Sequence, residues 1–235
     1  MLSGLISDIH GNHAALSAVL ESARTEGVTR FICAGDLVGY YYDAALCLRN
    51  LQSVQVDYVS GNHDRMLVEL CADPTLAASI TERFGSSHLN AAATLRPQQI
   101  DWLRNLPTNF DLVIDGIRIS VAHGSPWSDT DYVYQDATDL IDEIFQLVDF
   151  DVMVLGNTHR QLLVVRNGRS LVNPGSVGQP RGDSCGTAQW ALLQTEDLSV
   201  RFMTEPYDSV TLAREARRRD PATPYLWEVL AERPA

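Results

Sequence analysis

Cysteine is scarce and never clustered: the chain has four, Cys33, Cys47, Cys71 and Cys185, and none forms a C-x-x-C pair. A zinc ribbon, a dithiol redox motif and a disulfide-stapled scaffold are therefore not suggested. Free thiols in a reducing cytoplasm are the simplest reading, and a cytoplasmic location is expected. No apolar window of about 18 residues is present to span a bilayer. The opening MLSGLISD lacks the basic n-region of a signal peptide. Basic residues are also short, with 18 Lys and Arg against 30 Asp and Glu and a formal net charge of −12. That balance argues against duplex nucleic acid and anionic membranes as partners. It leaves an anionic substrate open, because bound metal ions reverse the local field. Internal repeats and low-complexity linkers are missing too.

What remains is an ordinary globular composition, 45% hydrophobic and 20% charged over 235 residues, enough for a sizeable core. The first half alternates short apolar runs with helical periodicity. LSGLIS, RFICAG and VDYVSG read as strands. Between them lie a helix over 12–26, with Asn12 as N-cap and Gly27 as stop, and another near Asp43 to Leu51. This β-α-β-α-β order implies a parallel sheet with helices packed on it. Residues 66–107, rich in Ala and Leu, read as a helical insertion within one domain spanning 1–235, and by position they could lie over the crevice.

Downstream, FDLVIDGIRISVAHG reads as a hairpin turning at Asp115-Gly116, and RQLLVVRNGRSLVN as one turning at Asn167-Gly168. TAQWALLQTEDLSVRFMTEP reads as a third hairpin. Asp136 is expected to cap a helix running to Val148 with Leu140, Ile141, Ile144 and Val148 on its apolar face. The tail, 208–230, reads as short helices, and Arg217 to Arg219 as a solvated helix face.

The chemistry gathers where apolar runs stop. LIS is followed by Asp8 and His10, FICAG by Asp36, and DYVSG by Asn62, His63 and Asp64. ISVA is followed by His123, and MVLG by Asn157 and His159. Each alone is commonly a turn residue, an N-cap or a satisfied histidine. Five together, each at the carboxyl end of a strand, point to a ligand crevice at one edge of one sheet. Carboxylate and imidazole suit Mn, Fe, Zn or similar divalent ions. In an extended segment Asp8 and His10 would share one side, and Asp36, with two oxygens, could bridge two ions. Asn62 and His123 would then hold the second ion and His159 the first. Two ions about 3.5–4 Å apart can clamp a phosphoryl group and generate hydroxide at neutral pH.

SDIHGN, AGDLVGY, SGNHD, AHGSP and NPGSVGQPR, in that order, resemble the calcineurin-like metallophosphoesterase superfamily, and most closely its small prokaryotic phosphodiesterase branch. The resemblance spans roughly residues 1–205. It implies an α/β fold in four layers, a β-sandwich of two mixed sheets flanked by helices, with a dinuclear metal site at one end. It implies that Asp8, His10, Asp36 and His159 hold one ion, and Asp36, Asn62 and His123 the other. A metal-bound hydroxide would attack phosphorus in line. His63 would stabilise the transition state and protonate the leaving oxygen, with Asp64 orienting its ring. The ions implied are Mn or Fe, with Zn, Ni or Mg as alternatives.

One position departs from the pattern. The family's final motif is G-H-x-H, whereas this chain has Gly156-Asn157-Thr158-His159. An asparagine oxygen still ligates but is neutral and harder than imidazole. A weaker second site, or one favouring Mn²⁺ or Mg²⁺, is expected, and a water in place of Asn157 is weighed equally. Arg181, in a Gly- and Pro-shaped loop, is a candidate phosphate contact. His13 and His88 are read as structural, and Tyr40, Tyr41 and Tyr42 as packing against the insertion rather than stacking on a nucleobase. Ser176 lacks a nucleophile elbow. The activity expected is phosphodiester or nucleotide-polyphosphate hydrolysis. The alternatives are a phosphomonoesterase or protein phosphatase, and a non-catalytic scaffold such as the retromer relative of this family. Oligomeric state is left open.

Overall fold

The apolar runs of the first half become three parallel strands, β1 (Leu2–Ile6), β2 (Arg30–Cys33) and β3 (Gln55–Tyr58). Helices α1 (His13–Glu26) and α2 (Ala44–Leu51) connect them. These strands read as continuous apolar runs because both faces are covered. In β2, Phe31 and Cys33 pack toward the helices, while Ile32 joins the core between the sheets. Asn12 caps α1 by accepting the Ala15 N–H, and Gly27 ends it in the left-handed region at φ 84°. The computed structural model describes residues 1–182 and 186–231; Cys185 lies outside them.

Two mixed sheets result. The hairpin β9 (Thr187–Gln194) and β10 (Ser199–Pro206) extends the first to the order β10-β9-β1-β2-β3. The second is built from β4 (Asn109–Ile114), β5 (Ile117–Ala122), β6 (Val152–Val154), β7 (Gln161–Arg166) and β8 (Arg169–Pro174), in the order β4-β5-β6-β8-β7. Within it β5, β6 and β8 run parallel. Asp115-Gly116 and Asn167-Gly168 carry positive φ at both turn positions, as two-residue hairpins of this hand require.

Leu5, Ile32, Val59, Ile119, Val154 and Ala191 form the core between the sheets. Helix α7 (Thr138–Leu147) covers the outer face of the second sheet through Ile141, Ile144 and Phe145. It starts after Ala137 with no side-chain cap, so Asp136 is not its N-cap. Phe145 completes the buried i, i+3, i+4 stripe, and Leu140 and Val148 flank it half-buried. The layers are therefore helix, sheet, sheet, helix, the four-layer α/β architecture expected.

The segment 66–107 is helical, and its first helix starts four residues before it. Helix α3 (Asn62–Ala72) opens on the G-N-H-D motif itself, followed by α4 (Ala77–Phe84), α5 (Ser87–Thr94) and α6 (Pro97–Arg104). The tail forms α8 (Ser209–Arg219) and α9 (Tyr225–Glu228). Tyr41 and Tyr42 pack mainly on that tail, their hydroxyls donating to the Leu226 carbonyl at 3.1 Å and to Asp220 at 2.6 Å, while the segment 66–107 meets them through Phe84 and through Asn90, whose amide donates to the Tyr42 carbonyl at 2.6 Å. Among the described residues no helix is long and apolar enough to cross a membrane.

Candidate metal centre

The five motifs do meet, but at the ends of two sheets rather than one. Strands β1, β2 and β3 deliver Asp8, His10, Asp36, Asn62 and His63 from the first sheet. Strands β5 and β6 deliver His123, Asn157 and His159 from the second. Main-chain hydrogen bonds join neighbouring loops within each rim, and a bond to a side chain joins the two rims. Asp8 N–H donates to Gly35 O at 3.0 Å, Gly156 N–H to His123 O at 2.7 Å, and Asn157 N–H to Asp8 Oδ2 at 3.2 Å.

Asp8 and His10 do not converge by strand alternation. The strand ends at Ile6, and Asp8 and His10 sit at φ 55° and 51°, in the left-handed region. Asp36, Tyr40, Asn157 and His159 share that conformation. Such backbone is unfavourable for a side chain and persists where surrounding structure enforces it. Here it turns each side chain back over the strand end.

Each carboxylate is split between two tasks. Asp8 Oδ2 accepts the Asn157 N–H, and Asp36 Oδ1 accepts the His63 N–H at 2.8 Å. Only Asp8 Oδ1 and Asp36 Oδ2 face the centre, so any bridging by Asp36 falls to one oxygen. Each of three imidazoles is also oriented from behind. Nδ1 of His10 lies 3.0 Å from Val38 O, that of His123 2.6 Å from Ala34 O, and that of His159 2.7 Å from Gln179 O. A backbone carbonyl can only accept, so each Nδ1 carries the proton and each Nε2 points inward.

Those inward atoms conflict with one another unless a cation lies between them. His10 Nε2 is 3.1 Å from His159 Nε2, two acceptors face to face. Asp8 Oδ1 is fully buried without a hydrogen-bond partner, 3.3 Å from His159 Nε2. Asp36 Oδ2 lies 3.6 Å from His10 Nε2 and 3.3 Å from His123 Nε2. Donor atoms from Asp8, His10 and His159, and from Asp8, Asp36 and His123, each lie within 4.8 Å of one another. Unpartnered buried polar atoms are costly, and a divalent ion in each group would relieve that cost. The residues present thus fit a divalent-metal site.

The charge state agrees. Burial opposes ionisation of Asp8, but His159 and the neighbouring imidazoles hold its carboxyl well below the usual range. Asp36 is depressed likewise, chiefly by His123 acting against burial. Burial lowers His159 to about 4, more than Asp8 raises it. His123 is the exception: against burial, the Asp36 and Asp8 charges push it up to about 10. Without metal, a proton on His123 Nε2 reaches Asn62 Oδ1 at 3.1 Å and stands where the second ion would bind.

Asn157 lines the cleft with its amide nitrogen donating to Asp131 O at 2.8 Å, which leaves Oδ1 as the atom offered to a cation. Asp64 does not orient His63. Its oxygens accept the N–H groups of Leu37 at 2.9 Å, Val38 at 3.1 Å and Gly61 at 3.0 Å, so it anchors the Asp36 loop to the start of α3. Burial, and then the Asp36 charge, push its carboxyl up to about 7 against those donors. The side-chain partner of His63 is His88, its Nε2 3.3 Å from His63 Nδ1.

Arg181 lines a cleft of about 350 Å³ above the centre and donates to the Tyr40 hydroxyl at 3.3 Å. Met66, Arg83 and Phe84 from the insertion, with Tyr132, complete its walls. Tyr40 packs against Phe84 of the helical segment, with centroids 6.0 Å apart, and its ring also lies 4.5 Å from that of His10 and 4.7 Å from that of His63. Its left-handed backbone has no sequence signal, and His88 lies 25 residues beyond its partner. Two glycines are required by this crowding. A Cβ on Gly61 would overlap Asp36 Oδ1, and one on Gly39, at φ 102°, would sit 2.6 Å from His63 Nδ1. Gly39→Ala should introduce about 1–3 kcal/mol of strain and lower Tm by roughly 2–12 °C. A variant melting with the wild type would show the site to be looser than this.

Known proteins resemble this chain in sequence and fold. The calcineurin-like phosphoesterase superfamily domain matches residues 1–197. An uncharacterized protein of Methanocaldococcus jannaschii is 26% identical over 225 residues, 87% of each chain. The metallophosphoesterase of Sphaerobacter thermophilus superposes with a TM-score of 0.79 at 26% identity over 99% of both chains. A hypothetical protein of Pyrococcus horikoshii OT3 superposes with a TM-score of 0.85 at 21% identity over 98% of both, which speaks to fold alone. With that match over most of its length and metal-ligand groups at the shared rim, the chain belongs to the calcineurin-like phosphoesterase superfamily.

Proposed function

We propose that the protein hydrolyses phosphodiesters or nucleotide polyphosphates at a dinuclear centre, Mn or Fe being the ions favoured by its mixed oxygen and imidazole donors. The observation that carries this reading is the facing pair of His10 and His159 Nε2 atoms beside the orphaned Asp8 Oδ1. Asp8, His10, Asp36 and His159 would hold one ion; Asp36, Asn62, His123 and Asn157 would hold the other. When bound, the ions supply Lewis acidity toward phosphoryl oxygens and lower the pKa of water.

The chain's own residues do the rest. Arg181 binds a phosphoryl oxygen from the cleft wall, with its guanidinium steered by Tyr40. His63, buried at the cleft floor, donates a proton to the leaving oxygen. Phe84 and Tyr132 in the cleft wall offer aromatic surface to a second ester group, which would favour diesters over a bare phosphate.

Activity with Mn²⁺ should be compared on bis-p-nitrophenyl phosphate, p-nitrophenyl phosphate and a dinucleoside polyphosphate. The diester or the polyphosphate is expected to exceed the monoester in kcat/KM by about tenfold or more, a difference of about 1.4 kcal/mol in transition-state binding. A monoester preference would make this a phosphomonoesterase. No turnover, together with a silent His63→Ala, would favour a binding scaffold. Asn157 makes the second position the weaker one, so Asn157→His should tighten the second Mn²⁺ equivalent in a binding titration. Two equally tight ions in the purified wild type would count against that.

A further inference from the structure

We propose that His88, from the helical insertion, is the positioning residue for His63, accepting its Nδ1 proton and so presenting Nε2 to the leaving group. The inference rests on the reading of His63 as proton donor. The two rings are buried at 3% and 0% exposure, inclined by 22°, with His63 Nδ1 and His88 Nε2 at 3.3 Å. Ser87 Oγ, itself fully buried, lies 3.4 Å from His88 Nδ1 on the far side and accepts the remaining proton of His88.

His63 needs such a partner. Its ring is held between Tyr40 and Phe84, each centroid 4.7 Å away. The Tyr40 ring is tilted by 48° and the Phe84 ring meets it edge-on at 71°, so these contacts confine the ring but do not decide which edge carries Nδ1, since a half-turn about the second side-chain torsion keeps the ring in the same place. The bond to His88 selects one edge. Carboxylates often play this part, but both oxygens of Asp64 are occupied by backbone N–H groups. Among the described residues His63 Nε2 has no protein partner, and the residue lines the cleft.

The proton balance is simple. As the bond from phosphorus to the leaving oxygen breaks, its electron pair stays on that oxygen, which takes the Nε2 proton of His63. His63 enters this step as the imidazolium, protonated on both nitrogens, a state that burial disfavours and that the Asp36 charge and a bound phosphate anion favour. The N–H pair remains on Nε2, Nδ1 keeps its proton toward His88 throughout, and the neutral ring left behind is reprotonated at Nε2 from solvent.

The test compares methyl phenyl phosphate with methyl p-nitrophenyl phosphate, using Mn²⁺-loaded protein. His88→Leu is expected to lower kcat on the phenyl ester by about 10–100-fold, a part of the roughly 10²–10⁴-fold that a general acid contributes because His63 itself remains, and on the p-nitrophenyl ester by less than about threefold. KM should stay unchanged. His88→Gln, whose amide oxygen accepts a proton, should restore most of the loss. Equal losses on the two esters, or no recovery in the glutamine variant, would overturn the proposal. An independent reading comes from ¹⁵N-resolved imidazole spectra. A protected His63 Nδ1 proton is expected in the wild type and His88→Gln and not in His88→Leu. A wild-type His63 without a proton on Nδ1 would refute the assignment whatever the turnover. Wild-type protein inert toward both esters would instead sink the phosphoesterase reading, leaving the spectra to decide the hydrogen bond.

Discussion

Asp36→Asn should abolish hydrolysis while leaving the fold intact. Replacing groups that merely support metal ligands costs about 10–100-fold, and loss of a ligand shared by two ions should exceed that, on the order of 10³-fold or more. The substitution is nearly isosteric. The asparagine oxygen can still accept the His63 N–H that Asp36 Oδ1 accepts, so the loop keeps its main anchor. What disappears is the charged Oδ2 lying 3.6 Å from His10 Nε2 and 3.3 Å from His123 Nε2. Steady-state kinetics with excess Mn²⁺, beside circular dichroism and a melting curve, separates loss of chemistry from loss of structure. A variant retaining more than about a tenth of wild-type kcat/KM, a loss of under 1.4 kcal/mol, would mean Asp36 is not shared between ions.

Removing metal should lower the melting temperature markedly, and adding it back should displace a proton. A ligand at about 100 times its Kd stabilises the native state by about 2.7 kcal/mol, or roughly 5–11 °C of Tm for a chain of this size. Chelation should reverse this shift, and Asp36→Asn should erase it. The proton comes from His123. Its folded pKa of about 10 lies above the ordinary 6.5, so this charge stabilises the metal-free protein below 6.5 and ceases to as pH rises toward 10. Metal must expel that proton to reach Nε2. Asp8 and Asp36 are held well below the usual range and His159 is lowered to about 4, so none of them releases a proton near neutrality. Calorimetric Mn²⁺ titrations in buffers of different ionisation enthalpy should therefore show about one proton released per chain, with affinity rising as pH increases from 6.5 toward 10. No proton release at pH 7.5 would contradict the electrostatics of the centre.

The strand runs and hairpin turns were legible because they rest on local rules. Asn167-Gly168 needs positive φ, and Asn12 needs only the Ala15 N–H three residues on. The ligand types were legible for a similar reason: carboxylate and imidazole placed where apolar runs stop have few other uses in such number. Convergence on a single sheet was not correct, because the sequence carries no signal for which sheet β5 and β6 join. Alternation also failed for Asp8 and His10, since the strand ends before them.

Chain order determined by itself which side chains could ligate metal and that they would lie near strand ends. Only the tertiary structure decided the rest: that two rims close on each other, that each carboxylate spends one oxygen on a backbone N–H, and that His88 rather than Asp64 meets the ring of His63. The reason is physical. Periodicity and turn preference act over a few residues, whereas the choice of hydrogen-bond partner in a buried site is made by whichever groups packing brings within about 3 Å, however far apart they lie in the chain.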